Sequence, residues 1–350
     1  MMAPNIAVSR QHLYIITYPR TASSLLMRIL ALPEQPNTLC EESGGYFFLP
    51  ALVRMRELGL MERPYSEWTD EQRGELMKSF QNCFDKLHTH FEDARVTGQR
   101  AVVKEHCPFM IDPVALMKFG STSEELSLVT DKPWKLKLST PWDHATPCDL
   151  KDPLFSNDTI LPDTFLMSWL PTFLIRHPIV VFPSYYRVFV SNSKRKPGQM
   201  QSVQGQMLRH MTLKWTRNLY DWYMSIWLRL GSESQKAPII LDADDILNSP
   251  QVIKKYCRLV GLDESKLQFS WEPLSQEELS KHTRFKRRMR DTLFASSGIQ
   301  TDKIAANLNL DTELAKWNKE FGEEAGLRIR DWVVAALPDY TYLQSKRLIL

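Results

Sequence analysis

Glycine is scarce in this chain, 13 of 350 residues, which argues against a fibrous or repeat-turn architecture. Cysteine is scarcer: Cys40, Cys83, Cys107, Cys148 and Cys257 are an odd set with no C-x-x-C pair and no histidines at metal-finger spacing. Free thiols in a reducing compartment are therefore expected, and no metal centre. Excess charge of one sign is also missing. With 44 Lys plus Arg against 41 Asp plus Glu, a formal charge of +3 excludes a polyelectrolyte tail or a nucleic-acid coat. Long apolar runs are absent as well: Met1 to Arg10 has no hydrophobic h-region, and Phe165 to Tyr186 is broken by Pro171, Arg176, Pro178 and Pro183. Neither a signal peptide nor a membrane span is expected, so the reading is a soluble cytoplasmic protein.

What is present suffices for a large core. Hydrophobic residues make up 43% of the chain, with 10 Trp, 11 Tyr and 16 Phe, which excludes wholesale disorder. Apolar, β-rich runs at Leu13 to Ile16, Ala101 to Lys104, Thr172 to Arg176 and Pro238 to Leu241 are each followed by a loop and a segment of helical spacing. Such alternation predicts an α/β fold, a central parallel sheet flanked by helices. Long amphipathic helices are expected over Asp70 to Ala94, Gly205 to Leu230 and Gly322 to Ala336, cladding the sheet. Between Asp112 and Asp163 periodicity is lost and prolines accumulate, with Trp134 and Trp142 among them. A stretch of that length is a lid or binding segment, or is disordered. The expectation is one domain over residues 1–350, with this substrate-side segment at 112–163 and a helical C-terminal part at 300–350.

Three segments carry chemistry. The first runs from the strand at Leu13 to Ile16 through Thr17-Tyr18-Pro19-Arg20-Thr21-Ala22-Ser23-Ser24 into a helix. A strand that ends in a short loop and a helix N-terminus gathers unpaired amides and the positive helix end at one point, where an anion is favoured. Thr21, Ser23 and Ser24 offer hydroxyls and Arg20 a planar cationic fork. The hydroxyls also suit ordinary N-caps. A Walker A loop is excluded, because no glycine lies between Thr17 and Leu30. In the second segment another strand ends at Arg176, and Ser184 follows eight residues later, so a turn can bring both onto one anion. A strand-end salt bridge is the structural alternative for Arg176. In the third, strand alternation puts Lys104 and His106 on one side, a cation beside an imidazole able to take a proton from an acceptor hydroxyl. His144 and His210 read as ordinary core residues.

With these motifs in order, the chain resembles the sulfotransferases that use 3′-phosphoadenosine 5′-phosphosulfate (PAPS), in particular the fungal and bacterial sulfotransferase-like P-loop proteins. Tyr18 to Ser24 is similar to the family's 5′-phosphosulfate loop, commonly T-Y-P-K-S-G-T-T, and Arg176 with Ser184 matches its R-(x)7-S pair for the 3′-phosphate. Lys104-Glu105-His106 is similar to the K-x-H segment with the catalytic base, and Pro238 to Pro250 to a structural strand and E-D-L-x-x-x-P turn. The resemblance spans about residues 13 to 300. It implies a P-loop nucleotide-binding fold, PAPS as donor and a small-molecule acceptor. His106 is then the general base, and Lys104 and Arg20 stabilise the transferred group. Arg20, Thr21, Ala22, Ser23, Ser24, Arg176, Ser184, Ser297 and Gly298 hold the nucleotide.

Arg20 stands where the family commonly has Lys, and Leu25 where many animal members have an adenine-stacking Trp. The family's C-terminal R-K-G loop has Ser296-Ser297-Gly298 as its nearest counterpart, with Arg287 and Arg288 as helpers. No metal is required in this scheme, and Asp244 and Asp245 read as turn or cap residues. Nucleic-acid binding is not expected, since no recognition motif accompanies the basic runs Lys281 to Arg290 and Ser193 to Lys196. The rival readings are a nucleotide-binding homologue without sulfuryl transfer, serving another step or a scaffold, and an ATP-dependent kinase. The missing Gly-Lys-Ser/Thr and Walker-B partner weigh against the kinase.

Overall fold

The structure, a computed structural model, describes residues 12–41, 44–138, 155–192, 207–230, 237–301 and 304–350. Trp142, His144, Cys148, Gly205 and the basic run Ser193 to Lys196 lie outside these residues.

Five strands form one parallel sheet: β1 (His12–Thr17), β2 (Thr38–Leu39), β3 (Arg100–His106), β4 (Trp169–Ile175) and β5 (Ile239–Asp242), in the order β2-β3-β1-β4-β5. The four longer strands coincide with the four apolar runs, and the α/β expectation holds. Alternation along β1 explains the layering. Leu13 and Ile15 pack with Val102, Leu174 and Leu241 on one face, while Tyr14 and Ile16 join Val103, Phe173 and Ile175 on the other. Both faces are covered, as a parallel sheet requires.

Helix α1 (Ser23–Leu30) follows β1 directly and buries Leu26, Ile29 and Leu30 against the first face. Helix α2 (Leu49–Glu57) and the long helix α3 (Asp70–Val96) cover the other face, α3 through Leu76, Phe80, Phe84, Leu87 and Phe91. Thr69 and Gln72 close a capping box that fixes the start of α3. Two expected helices differ in extent. Within 205–230 the long helix is Lys214–Leu230, because the Thr212 side chain accepts from the Lys214 amide at 3.1 Å and starts a helix there. The last helix, Glu323–Gln344, continues past Ala336 through Pro338. Proline removes one backbone bond, from the carbonyl of Val334, and that residue is exposed to water.

The described ends of the 112–163 segment are tied to the body. Asp112 accepts from the Ala115 and Trp134 amides, and Lys135 Nζ donates to the carbonyls of Asn157 and Thr159. Trp134 packs against the main core. All four long strands run the same way, so Thr17, His106, Ile175 and Asp242 end at one edge of the sheet. Because β1 is central, with β3 on one side and β4 on the other, the crevice lies beside its carboxyl end, where open α/β sheets bind ligands.

Candidate active site

Beyond that edge lies a cavity of about 820 Å³. Its wall includes Arg20, Ala22, Ser23, Ser24, His106, Arg176, Ser184 and Gly298, so the three sequence segments and the late loop meet in one place.

The β1–α1 loop is built for an anion. Tyr18 is buried, its hydroxyl donating to the His210 carbonyl, and this anchors the start of the loop. Arg20 and Ala22 both hold left-handed backbone, with φ of 71° and 60°. Ala22 is the N-cap of α1 and makes no side-chain capping bond. The helix start carries no side-chain cap, and Ser23, Ser24 and Leu25 of its first turn line the cavity. In the family pattern T-Y-P-K-S-G-T-T the position of Ala22 is a glycine. An L-residue held left-handed costs about 1–2 kcal/mol, so this loop keeps its shape against local preference.

Arg20 Nε donates to Ser184 Oγ at 2.8 Å and its Nη1 to the Met289 carbonyl at 2.7 Å. Arg176 Nη1 lies 3.4 Å from the Arg20 carbonyl. The two arginines and Ser184 thus form one cluster at the mouth of β1 and β4. Arg176 is not simply a strand-end salt bridge, although Asp244 faces it and partly offsets the lowering of its pKa by burial. Six cationic side chains line the cavity, Arg20, Arg176, Arg187, Lys286, Arg288 and Arg290, against the acids Asp291 and Glu313.

His106 stands at the end of β3, buried, with Phe109 and Tyr46 against its ring at 5.0 and 4.7 Å between centroids. Its Nδ1 is 2.6 Å from Thr17 Oγ1, which itself donates to the Glu105 carbonyl at 3.2 Å. That network assigns the proton to Nδ1 and leaves Nε2 with a lone pair. Burial, and then the nearby Lys104, hold the imidazole pKa well below 6.5. Glu105 points the other way, accepting from the Phe48 and His106 amides at 2.9 Å each.

Four expectations need correction. The Thr21 hydroxyl is turned inward, donating to the Tyr18 carbonyl at 2.7 Å, so it is no ligand donor. Ser297 does not line the cavity; its carbonyl accepts from the Trp271 amide, while Ser296 and Gly298 form the wall. Arg287 is likewise absent from the wall, which takes Lys286, Arg288 and Arg290 from the same run. Lys104 is wholly buried and does not reach the cavity surface. Its Nζ lies 4.1 Å over the ring of Tyr46, which occupies the wall instead. Tyr46, Phe109 and Trp317 escaped the sequence reading, and only the Gly44-Gly45 pair ahead of Tyr46 signalled a close backbone approach.

Similarity to known proteins bears on this geometry. The sulfotransferase ppzF of Metarhizium majus is 38% identical over 355 residues, covering 99% of this chain and 99% of that protein. The chain belongs to the sulfotransferase family. The Metarhizium rileyi sulfotransferase of the same name is 38% identical over 341 residues, covering 96% of this chain and 95% of its own length. No protein-family profile matches the chain. Among solved structures, the sulfotransferase domain of the Synechococcus PCC 7002 olefin synthase aligns at 13% identity and a TM-score of 0.33, covering 89% of this chain and 95% of that domain. The corresponding domain from the curacin biosynthetic pathway aligns at 12% identity and a TM-score of 0.31, covering 89% of this chain and 97% of that one. No helix of this sulfotransferase is long and apolar enough, among the described residues, to cross a membrane. No cluster of three His, Cys, Asp or Glu side chains among them could hold a metal ion.

Proposed function

We propose that this sulfotransferase moves a sulfuryl group from PAPS to a hydroxyl or amine of a small-molecule acceptor, with His106 as general base. The observation that carries the reading is the meeting of Arg20, Arg176 and Ser184 with His106 in one cavity. A bisphosphorylated nucleotide needs donors for two phosphates, and two sets of donors line the cavity. Arg176 with Ser184 suits the 3′-phosphate, and the uncapped first turn of α1 with Ala22, Ser23 and Ser24 suits the 5′ end. With Arg187 paired to Glu320, five cations against two acids on the wall still favour a polyanion over a neutral ligand. At about 820 Å³ the cavity is within the range of small-molecule and cofactor sites.

Bound PAPS would supply an activated sulfate whose leaving group is already a stable phosphate. The protein's part is positioning and charge stabilisation, as in loose phosphoryl transfer. Arg20, tied to Ser184 and to Met289, links the two anion sites and holds the mouth of the cavity. His106 stays neutral at working pH because its pKa is lowered, so Nε2 is ready to accept a proton without prior deprotonation. Thr17 keeps the other nitrogen occupied.

The test is transfer of labelled sulfate from PAPS to an acceptor drawn from a metabolite extract, read by mass spectrometry. His106→Ala is expected to abolish turnover and leave binding of adenosine 3′,5′-bisphosphate intact. Full activity in that variant removes the assigned base, and stronger thermal stabilisation by ATP with Mg²⁺ than by the bisphosphate favours a kinase.

A further inference from the structure

We propose that Tyr46 is a catalytic residue, its hydroxyl carrying the charge of the buried Lys104 to the sulfuryl group in transfer. The proposal rests on the reading of the site as a PAPS sulfotransferase.

The geometry begins with a strained loop. Gly44 and Gly45 run alongside the end of β3: the Lys104 amide donates to the Gly44 carbonyl at 2.5 Å, and the Tyr46 amide donates to the Lys104 carbonyl at 3.1 Å. A Cβ on Gly45, whose φ is +140°, would lie 2.4 Å from the Lys104 carbonyl oxygen, so only glycine admits this approach. The next residue, Tyr46, is then forced into φ of 76°, a region a bulky side chain avoids. Backbone strain of this kind persists where surrounding structure over-determines it, and here it delivers one ring to the cavity wall.

That ring fills the gap between a buried charge and the reaction space. Lys104 is 0% exposed, and the polar side chain that meets its Nζ is that of Tyr46. An ammonium buried in this way is costly unless something receives its field. The receiver is Tyr46, whose ring centre lies 4.1 Å from Nζ and 4.7 Å from the His106 ring centre. The groups facing the phenol are Lys104 and His106 from β3, Ser23 and Arg20 from the β1–α1 turn, and Arg290 from the basic segment. Burial alone would raise the phenol pKa, but Lys104, Ser23 and Arg290 outweigh it and hold it below its ordinary value. A phenol polarised in this way is a stronger hydrogen-bond donor than a free tyrosine.

In the step itself, the bond between sulfur and the bridging phosphate oxygen breaks and its electron pair leaves with the phosphate. A bond from sulfur to the acceptor oxygen or nitrogen forms, and the acceptor's proton passes to His106 Nε2. Tyr46 keeps its proton throughout and donates a hydrogen bond to a sulfuryl oxygen. It stands where Lys104 alone would otherwise have to reach.

The test uses the full chain and two independent readouts. In the first, absorbance at 295 nm is followed against pH for the wild type and Tyr46→Phe. The difference curve should contain one tyrosine ionising below the ordinary value, and Lys104→Met should return that ionisation upward. In the second, Tyr46→Phe should lower kcat roughly 10²-fold, the loss typical of one oxyanion donor. Its dissociation constant for adenosine 3′,5′-bisphosphate should stay within about two-fold of wild type, since the variant only loses a donor to the transferred group. Combining Tyr46→Phe with Lys104→Met should be no slower than the slower single variant, because the two act as one unit. Unchanged kcat in Tyr46→Phe, or a phenol that titrates like any other, overturns the proposal. A wild type that binds the bisphosphate but never transfers sulfate defeats the PAPS reading, and the absorbance titration then still decides the pairing of Lys104 with Tyr46.

Discussion

Thr17→Val is the most informative single perturbation of the base. The two side chains are nearly the same shape, so the change removes one hydroxyl from a fully buried position at the end of β1. Two bonds go with it, the 2.6 Å contact to His106 Nδ1 and the 3.2 Å bond to the Glu105 carbonyl. A buried donor left unsatisfied costs about 1–3 kcal/mol, so unfolding free energy should fall by that amount in urea titrations. The catalytic consequence is separate from the stability loss. With no acceptor beside Nδ1, the proton is free to move to Nε2, and the ring is then a donor where a base is needed. Steady-state assays at saturating donor should show kcat down at least roughly 10-fold, the factor that about 1.4 kcal/mol of transition-state energy represents. Affinity for adenosine 3′,5′-bisphosphate, measured by calorimetry, should not change. Thr17→Ser keeps the hydroxyl and should keep most of the activity. Equal kcat in Thr17→Val and wild type, or equal losses in the Val and Ser variants, would refute the argument.

The remaining predictions concern the anion site and a buried acid. Arg176→Gln should weaken adenosine 3′,5′-bisphosphate by about 10- to 150-fold, the worth of a charge-assisted hydrogen bond of about 1.5–3 kcal/mol, and leave 5′-AMP affinity nearly unchanged in parallel calorimetry. Glu105, raised from 4.5 to about 7 by burial against the opposing pull of the Phe48 and His106 amides, resists ionisation in the native state. Its contribution is fully present below about pH 4.5 and is lost as pH rises through about 7, up to about 3 kcal/mol across that window. Urea midpoints should therefore fall with pH over this range in the wild type. In Glu105→Gln that slope should be flatter, and stability lower at acid pH, because an amide oxygen cannot accept from both backbone donors.

The frame of this protein was legible because its signals are local. Apolar runs such as Leu13 to Ile16 and Ala101 to Lys104 read as buried parallel strands, and the residue after each strand is placed by chain direction alone. Arg20, His106 and Arg176 could therefore be named together before any fold was known. What escaped the reading depends on contacts between distant segments. Tyr46 reaches the wall only because Gly44 and Gly45 press against β3, and nothing in its own neighbourhood marks a site. Lys104 read as a cation that reaches the transferred group, yet the loop that buries it lies some sixty residues earlier. Thr21 read as a donor by residue type, but its hydroxyl direction is set by the Tyr18 carbonyl within the turn. The basic run at Lys281 to Arg290 was visible, whereas which of its cations line the cavity depends on how the segment docks on the β1–α1 loop, where the Met289 carbonyl accepts from Arg20.

The most direct measurement of the central claim is a crystal structure with adenosine 3′,5′-bisphosphate bound. The 3′-phosphate should lie within hydrogen-bond reach of Arg176 and Ser184, the 5′-phosphate on the first-turn amides of α1, and the face of His106 should be open to the remaining space. A nucleotide seated elsewhere, or one whose phosphates touch neither arginine, would contradict it.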